Sequence, residues 1–375
     1  MKLSIQILSL FSVLFAVSCS NNDDMLTVIN ADGSCYREFT SQEDSTFMVG
    51  ASKKNNFPVD MDSSWNVNWA FMKLASGKDY PLKPSKIDSI FKNSPDSVVH
   101  TLFTVHIRKD YKSVEDMATS FKLKSSHKWS SFKVNYSLER KFRWFYTYFN
   151  YRETYPKIKT NFNLPIENYM SKDEARFWFT GQPNILIGMN GLEIREYMGT
   201  LEQKYNLWFG QNIWNNEYKV LLKNYDLVKK KPVSKDSLEA LRDTISSTIE
   251  SSLSDFKMGD ILNKYFKTKA FSVLWDKENS PMKEYETEFI NQDFIEYLSY
   301  SFNYKLKMPG TTIQPNNAVL NDGILSYKLT AYRMLYNDYT IEAESRKTNI
   351  WAFILTGIIL IIAVGSFIYK PKKKW

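Results

Sequence analysis

The hydrophobic pattern of the chain changes its period twice, and the changes predict strands, then helices, then strands again. Apolar side chains occupy alternate positions near both ends of the chain, as in half-buried strands. These alternating ranges are 26–29, 35–39, 65–71, 99–107, 300–308, 325–329 and 339–343. Between 165 and 294 the apolar residues recur at spacings of three and four, which is the period of amphipathic helices.

One alternating segment, 132–151, is unusually long. Large apolar residues hold the even positions for about twenty residues, whereas strands are usually about 5–6 residues long. We therefore expect this segment to bend, to carry a bulge or to break into two strands. From Phe145 onward both faces are aromatic, so the stretch is either covered by the rest of the protein or exposed as a binding surface. The candidate partner or ligand surface comprises Trp144, Phe145, Tyr146, Tyr148 and Phe149.

Capping signals mark several helix starts. Ser113 precedes a short amphipathic run, and Ser171 with Glu174 forms a capping box that leads into a helix ended by Gly181. Apolar residues from Leu238 to Phe256 predict a further helix. The expected fold class is α+β, with an antiparallel sheet built from the N- and C-terminal strands and a large helical insertion.

The C-terminal segment 350–369 contains no charged residue and predicts a transmembrane helix. Trp351 and Tyr369 stand where aromatic rings favour the two membrane interfaces, and the tail 370–375 carries four lysines. Because such lysines stay on the cytoplasmic side, the part before Ile350 is expected to lie outside the cytoplasm, in the periplasm.

The N-terminal segment 1–18 has the pattern of a signal peptide: Lys2, an apolar run, and small residues before Cys19. Residues Ala16 to Cys19 resemble a bacterial lipobox, which implies cleavage before Cys19 and acylation of that cysteine, including a palmitate-type chain. The alternative is an ordinary cleavage site that happens to contain a cysteine. Under the lipobox interpretation, 19–24 is a lipidated tether and the protein is anchored at both ends.

These signals divide the chain into seven parts. The signal peptide and tether precede a strand-rich part of the ectodomain, a helical insertion and a set of C-terminal strands, followed by the membrane helix and a cytoplasmic basic tail. Their ranges are 1–18, 19–24, 25–160, 161–298, 299–345, 350–369 and 370–375.

Composition agrees with a packed ectodomain, because 43% of the 375 residues are hydrophobic and 15% are aromatic. The net charge of +8 is concentrated at the ends: without Lys2 and the four tail lysines, 44 basic residues face 41 acidic ones. This near-neutral ectodomain gives no argument for nucleic-acid binding. After acylation of Cys19, Cys35 is left without a disulfide partner, and it is expected to be a small buried strand residue.

The sequence contains no catalytic or cofactor signature. His100 and His106 share a strand face about 20 Å apart, too far to bind one metal ion, and no zinc-protease, redox-cysteine, hydrolase or phosphate-loop motif occurs. No cofactor is therefore expected. Acidic pairs are plentiful, but a catalytic carboxylate pair is defined in space and is not visible in a sequence.

Two resemblances add expectations. The layout of the two ends of the chain resembles that of LppM-like bacterial lipoproteins. The likeness lies in the hairpin sequence 28–34 after a lipidated cysteine, in the Met308-Pro309-Gly310 and Asn321-Asp322-Gly323 turns, and in 342–345 before a single span. That resemblance implies a non-enzymatic, lipid-associated envelope domain. Asp-Ser-apolar triplets resemble the O-glycosylation acceptor of Bacteroides-type envelope proteins, which implies Ser89 and Ser97 as candidate glycosylation sites.

The functional hypothesis is a non-enzymatic lipoprotein of the cell envelope. It is expected to be held in the cell membrane by its acyl chains and its C-terminal helix, and to bind an envelope lipid or protein partner. The alternative is an envelope glycan or peptidoglycan hydrolase that uses two carboxylates.

Overall fold

The computed structural model describes residues 21–43, 55–73, 78–82, 103–247, 258–275, 280–290, 297–298, 300–314 and 317–368. The fold is α+β, as the sequence predicts. The chain forms two compact units. A strand-rich unit is built from 22–156, 302–329 and the residues from Asp338 onward, and a helical unit is built from 157–301 and 330–337.

The strands form two sheets. One has eight strands in the order β10-β11-β8-β1-β2-β5-β3-β4, and the other has four in the order β6-β7-β12-β9. N- and C-terminal strands share the larger sheet, as expected. The prediction of one antiparallel sheet is wrong, because the strands form two sheets with mixed and antiparallel pairing. The strands are β1 (Asn21–Ile29), β2 (Cys35–Glu43), β3 (Asn66–Lys73), β4 (Lys78–Leu82), β5 (Phe103–Tyr111), β6 (Asn135–Phe142), β7 (Tyr146–Tyr155), β8 (Tyr300–Lys307), β9 (Thr311–Gln314), β10 (Val319–Asn321), β11 (Ile324–Thr330) and β12 (Tyr339–Thr348).

The long alternating segment breaks into two strands, which was one of the expected outcomes. β6 and β7 pair as an antiparallel hairpin that ends with Phe142 opposite Thr147. The backbone N–H of Arg143 donates to the carbonyl of Tyr146 at 2.7 Å and closes the turn. β7 then pairs with β12 over ten residues, so it lies in the interior of the smaller sheet.

Aromatic side chains pack between the two sheets. The Trp129 ring lies 5.3 Å from the Phe302 ring on β8 and 6.3 Å from the Tyr155 ring on β7, centroid to centroid. Phe39 on β2 lies 6.4 Å from the same Phe302 ring. Helix α1 (Val114–Ser120) begins at Ser113, whose side chain accepts from the N–H of Asp116, as the capping signal predicts. The core of this unit therefore lies between the sheets.

The helical unit is organised around one long helix, α3. Buried residues in its C-terminal part pack in one core with those of α4, α5, α6, α7 and the 3-10 turn at Ala270–Leu274. The capping box at Ser171 and the left-handed Gly181 bound α2, as predicted. The helices are α2 (Lys172–Thr180), α3 (Gly191–Lys223), α4 (Lys235–Ala240), α5 (Arg242–Ser247), α6 (Met258–Tyr265) and α7 (Pro281–Ile290).

The single helix predicted from Leu238 to Phe256 is wrong in its first part. The chain forms α4 and α5 with a break at Leu241, and 248–257 lies outside the described residues. Two side chains of α3 bind carbonyl groups beside the break: the Tyr218 hydroxyl donates to Leu238 at 2.6 Å and the Trp214 indole N–H donates to Arg242 at 3.3 Å. These contacts favour a local turn over a continuous helix.

Helix α8 (Ile350–Ile368) follows β12 after one residue and carries exposed apolar side chains along its length. The predicted membrane span, 350–369, gains no support here: across the part of the chain that the structure describes, no helix is both long and apolar enough to cross a membrane.

Candidate functional site

The strand-rich unit contains a cavity of about 740 Å³ between its two sheets and the segment 118–134. This volume lies within the range of small-molecule sites, about 300–1,000 Å³. Its walls are part polar and part apolar, and the apolar part includes Met25 and several aromatic rings. The aromatic residues that line it are Trp65, Tyr111, Phe121, Trp129, Phe132, Tyr136, Tyr155 and Phe302.

A buried ion pair lies at one side of the cavity. The Arg37 guanidinium, which lines the cavity, is 3.0 Å from Glu153, and both side chains are at most 1% exposed. Three tyrosine hydroxyls, from Tyr151, Tyr155 and Tyr304, also donate to the Glu153 carboxylate. Four donors around one carboxylate satisfy its oxygens. Glu153 therefore holds Arg37 in place from behind the cavity wall.

Arg37 itself is held by three further contacts. Its Nε donates to Thr27 Oγ1 at 3.1 Å and its Nη1 donates to the Tyr136 hydroxyl at 3.3 Å. The guanidinium carbon lies 4.6 Å from the centre of the Phe121 ring, within cation–π distance. Glu153 raises the pKa of Arg37 against the opposing effect of burial, so the guanidinium stays charged.

Tyr111 presents an unsatisfied hydroxyl in this cavity wall. The residue is 4% exposed, and its hydroxyl has no hydrogen-bond partner among the described residues. Burial raises the pKa of Tyr111, so the hydroxyl remains a donor. An unpaired buried hydroxyl costs about 1–3 kcal/mol. The Tyr111 ring lines the cavity, whereas its hydroxyl is enclosed by the protein.

Charged side chains of both signs line the cavity. Lys109, Lys122 and Lys133 line it together with Asp60 and Asp62. Lys122 and Lys133 are exposed, and neither forms an ion pair within the described ranges. Asp62 accepts from the N–H and the hydroxyl of Ser64, and these bonds lower its pKa. Asp62 is thus held ionised and is a poor proton donor at neutral pH.

The predicted aromatic surface is divided by the hairpin. Phe149 is 1% exposed and belongs to the core, whereas Trp144 is 43% exposed at the hairpin tip. Phe145 packs 4.5 Å from Phe353 of α8, and Tyr146 lies 6.1 Å from the same ring. Tyr148 lies 6.5 Å from Tyr146. The structure therefore brings most of this stretch onto the first turns of α8.

Asn349 fastens the hairpin tip to the start of α8. Its side-chain amide donates to the carbonyls of Arg143 and Trp144 at 2.8 and 3.2 Å, and its backbone N–H donates to Phe145. Its side-chain oxygen accepts from Thr147 Oγ1 at 3.0 Å. The Trp144 indole N–H donates to Thr356 Oγ1, about two turns beyond Asn349. The tip and the first turns of α8 are consequently one rigid assembly.

Several predicted sites lie outside the described residues: Cys19, Ser89 and Ser97. His100 lies outside them as well. Within the described ranges, no group of three or more His, Cys, Asp or Glu side chains is placed to hold a metal ion. Cys35 is 2% exposed, and burial raises its thiol pKa to about 11, which keeps it protonated and unreactive.

Sequence reasoning missed the Arg37–Glu153 pair and the cavity beside it. A signal was present, because Glu153 stands at the same parity as Tyr151 and Tyr155 in an alternating strand. A carboxylate at a core parity, flanked by tyrosines two residues away on each side, indicates a buried polar network. The cavity left no comparable signal, since its lining comes from segments scattered between Met25 and Phe302.

Comparison with known proteins adds no family: no family model, no curated protein and no solved structure matches this chain.

Proposed function

We propose that this chain is a non-enzymatic lipoprotein of the bacterial cell envelope that binds an envelope lipid in the cavity of its strand-rich unit. The observation that carries the proposal is a cavity lined both by aromatic side chains and by Lys122 and Lys133, which form no ion pair within the described ranges. The aromatic side chains suit an acyl chain, and the two lysines suit an anionic head. The expected ligand is an acyl chain with one anionic head.

The proposed anchoring has two parts. Acylation of Cys19 would hold the N-terminus at a membrane, as the lipobox-like sequence implies. The exposed apolar residues of α8, followed in sequence by Tyr369 and four lysines, would enter the bilayer at the other end. The nineteen residues of α8 rise about 28 Å against a hydrocarbon core of about 30 Å, so the proposed span needs Tyr369 as well.

Anchoring is tested by membrane fractionation and intact mass of the full chain beside Cys19→Ala. The proposal predicts membrane recovery and a mass that starts at Cys19 with added acyl chains, and loss of the acyl mass in the variant. An unacylated mass would contradict the lipoprotein assignment, and recovery in the aqueous fraction would contradict anchoring.

Ligand binding is tested on the full chain in phosphatidylcholine nanodiscs with a photoreactive palmitate analogue. Crosslinks are expected on peptides that contain cavity residues such as Tyr111 and Trp129. Lys122→Glu with Lys133→Glu should weaken binding at least about 10-fold, because it removes about 1.4 kcal/mol or more of attraction to the head. Ala118→Trp, at an exposed position that lines the cavity, should block the site without a change of charge.

The matched control is Lys229→Glu with Lys230→Glu, which makes the same charge change on an exposed loop of the helical unit. It should leave palmitate binding unchanged. Hexadecanol, which lacks the charge, should bind more weakly and respond little to the cavity lysines. Crosslinking that is spread over the surface, or that survives Ala118→Trp, would contradict the proposal.

A further inference from the structure

We propose that a basic cleft beside the start of α8 binds the phosphate of an anionic phospholipid whose headgroup carries hydroxyl groups. This inference rests on the proposed anchoring, because it places the cleft at the membrane surface. It concerns a different site from the aromatic cavity, with a different lining and a different ligand.

The cleft is about 730 Å³ and lies wholly within the strand-rich unit. Three segments line it: the β1–β2 turn with Asp32, the hairpin strands with Arg140 and Phe149, and the junction of β12 and α8 with Lys347 and Trp351. It therefore opens where the proposed membrane helix begins.

The cationic groups of the cleft are available for a ligand. Arg140 and Lys347 are both exposed, and neither forms an ion pair within the described residues. The Arg140 guanidinium carbon lies 5.9 Å from the centre of the Phe149 ring, at the outer limit of a cation–π contact. A guanidinium and an ammonium on two sides of a cleft are suited to a phosphate group.

Asp32 determines which phosphate fits best. Its carboxylate accepts from the N–H and the hydroxyl of Ser34 at 3.0 and 2.7 Å, and these bonds lower its pKa, so it is ionised. A carboxylate repels a bare phosphate but accepts hydrogen bonds from hydroxyl groups. The cleft thus favours a phosphodiester with a polyol head, such as phosphatidylglycerol, over phosphatidic acid.

Aromatic residues place this cleft at interfacial depth. Trp351 lies 5.2 Å from Trp144 and 6.3 Å from Phe142, and all three are at least 43% exposed. Exposed tryptophans concentrate where a membrane meets water. Because Asn349 fixes the hairpin tip to α8, insertion of α8 would bring Arg140 and Lys347 to the level of the lipid phosphates.

The test is native mass spectrometry of the full chain released from phosphatidylcholine nanodiscs that contain equal amounts of phosphatidylglycerol and phosphatidic acid. Retained phosphatidylglycerol should exceed each of the other two lipids several-fold. Arg140→Glu with Lys347→Glu should abolish that preference, and Asp32→Asn should shift it toward phosphatidic acid. Lys229→Glu with Lys230→Glu is the charge-matched control and should change nothing.

Retention of the three lipids in proportion to their abundance, or a preference unchanged by the cleft variants, would overturn the inference. Competition by inorganic phosphate as strong as that by dihexanoylphosphatidylglycerol would show a plain anion site, which also overturns it. Membrane fractionation tests the anchoring proposal separately. If the chain is not membrane-bound, the same headgroup preference is measured in solution with short-chain lipids. Failure of the anchoring proposal can therefore be told apart from failure of the cleft proposal.

Discussion

The buried ion pair of Arg37 and Glu153 adds little to the free energy of unfolding, yet loss of either partner is expected to be costly. Both side chains are buried between the sheets, at 1% and 0% exposure. A buried ion pair is little more stabilising than an apolar pair of the same size. When one partner is removed, the other charge stays buried with neither a partner nor water, which is strongly destabilising. The tyrosines around Glu153 strengthen that dependence, because they are oriented by the carboxylate.

We predict that Arg37→Met destabilises the strand-rich unit by about 3–5 kcal/mol. The matched control is Arg152→Met, at the residue before Glu153 in β7. Arg152 pairs with Glu342 at 2.6 Å on the surface, where the two side chains are 56% and 35% exposed. It should cost less than about 1 kcal/mol. Thermal unfolding with hydrogen exchange of the β2 and β7 amides measures both, and equal losses would refute the buried-charge account.

Glu217 is the buried acid of the helical unit. Burial raises its pKa to about 8, with a smaller contribution from Glu286, so the folded unit keeps this carboxyl protonated at neutral pH. The ordinary value, 4.5, applies in the unfolded chain. Below about pH 4.5 both states hold the proton. From there to about pH 8 the unfolded state loses it while the folded state does not, so stability falls with rising pH by up to about 1.4 kcal/mol per pH unit.

Glu217→Gln should therefore raise the unfolding temperature at pH 8.5 and leave it nearly unchanged at pH 4.5. The gain at pH 8.5 should be on the order of 3 kcal/mol, since the amide has no charge to bury. Glu196→Gln, at an exposed position of the same helix, is the control and should be neutral at both pH values. A Glu217→Gln effect that is the same at both pH values would contradict this explanation.

At the scale of elements, the turn after β8 depends on the absence of a side chain at Gly310. Its φ is +77°, and an added Cβ would overlap the carbonyl oxygen of Arg346 and lie 2.9 Å from the Cα of Lys347 on β12. Gly323, in the β10–β11 turn, has φ +76° with nothing within 4 Å of such a Cβ. The two glycines thus share a left-handed backbone conformation, and they differ in the room available for an added Cβ.

We predict that Gly323→Ala costs about 1–2 kcal/mol, from the left-handed backbone alone, and that Gly310→Ala costs at least about 2 kcal/mol more. Thermal unfolding of the two variants beside the parent protein makes the comparison. Similar losses for both substitutions would mean that β12 can move away from the turn, and that the junction with α8 is less rigid than described.

Elements with strong local signals could be predicted from the sequence. The caps at Ser113 and Ser171 and the broken alternation between β6 and β7 depend on neighbours in the chain, and each appears in the fold. The break at Leu241 could not be predicted, because the side chains that bind Leu238 and Arg242 come from α3, more than twenty positions away in one case. The second sheet was missed for a similar reason: alternation identifies strands and not their partners.

At the scale of the whole molecule, the sequence indicates location more than chemistry. The anchoring proposals rest on residues at the two ends of the chain, Cys19 and the run from Ile350 to Tyr369. The cavity is assembled by the fold from distant segments, so its aromatic lining reads in the sequence as ordinary core residues. The predicted surface at Trp144 was visible in the sequence, but its packing on α8 was not.

Cavity binding is tested most directly by native mass spectrometry of two proteins purified from their own membranes. The parent is the full chain with the cleft substitutions Arg140→Glu and Lys347→Glu, and the second protein adds Ala118→Trp to that parent. We expect the parent to be acylated and to carry a non-covalent amphiphile with one anionic head. Ala118→Trp should remove that amphiphile and leave the covalent acylation in place. A parent protein with no retained amphiphile, or the same lipid retained by Ala118→Trp, would contradict the claim that this cavity binds an envelope lipid.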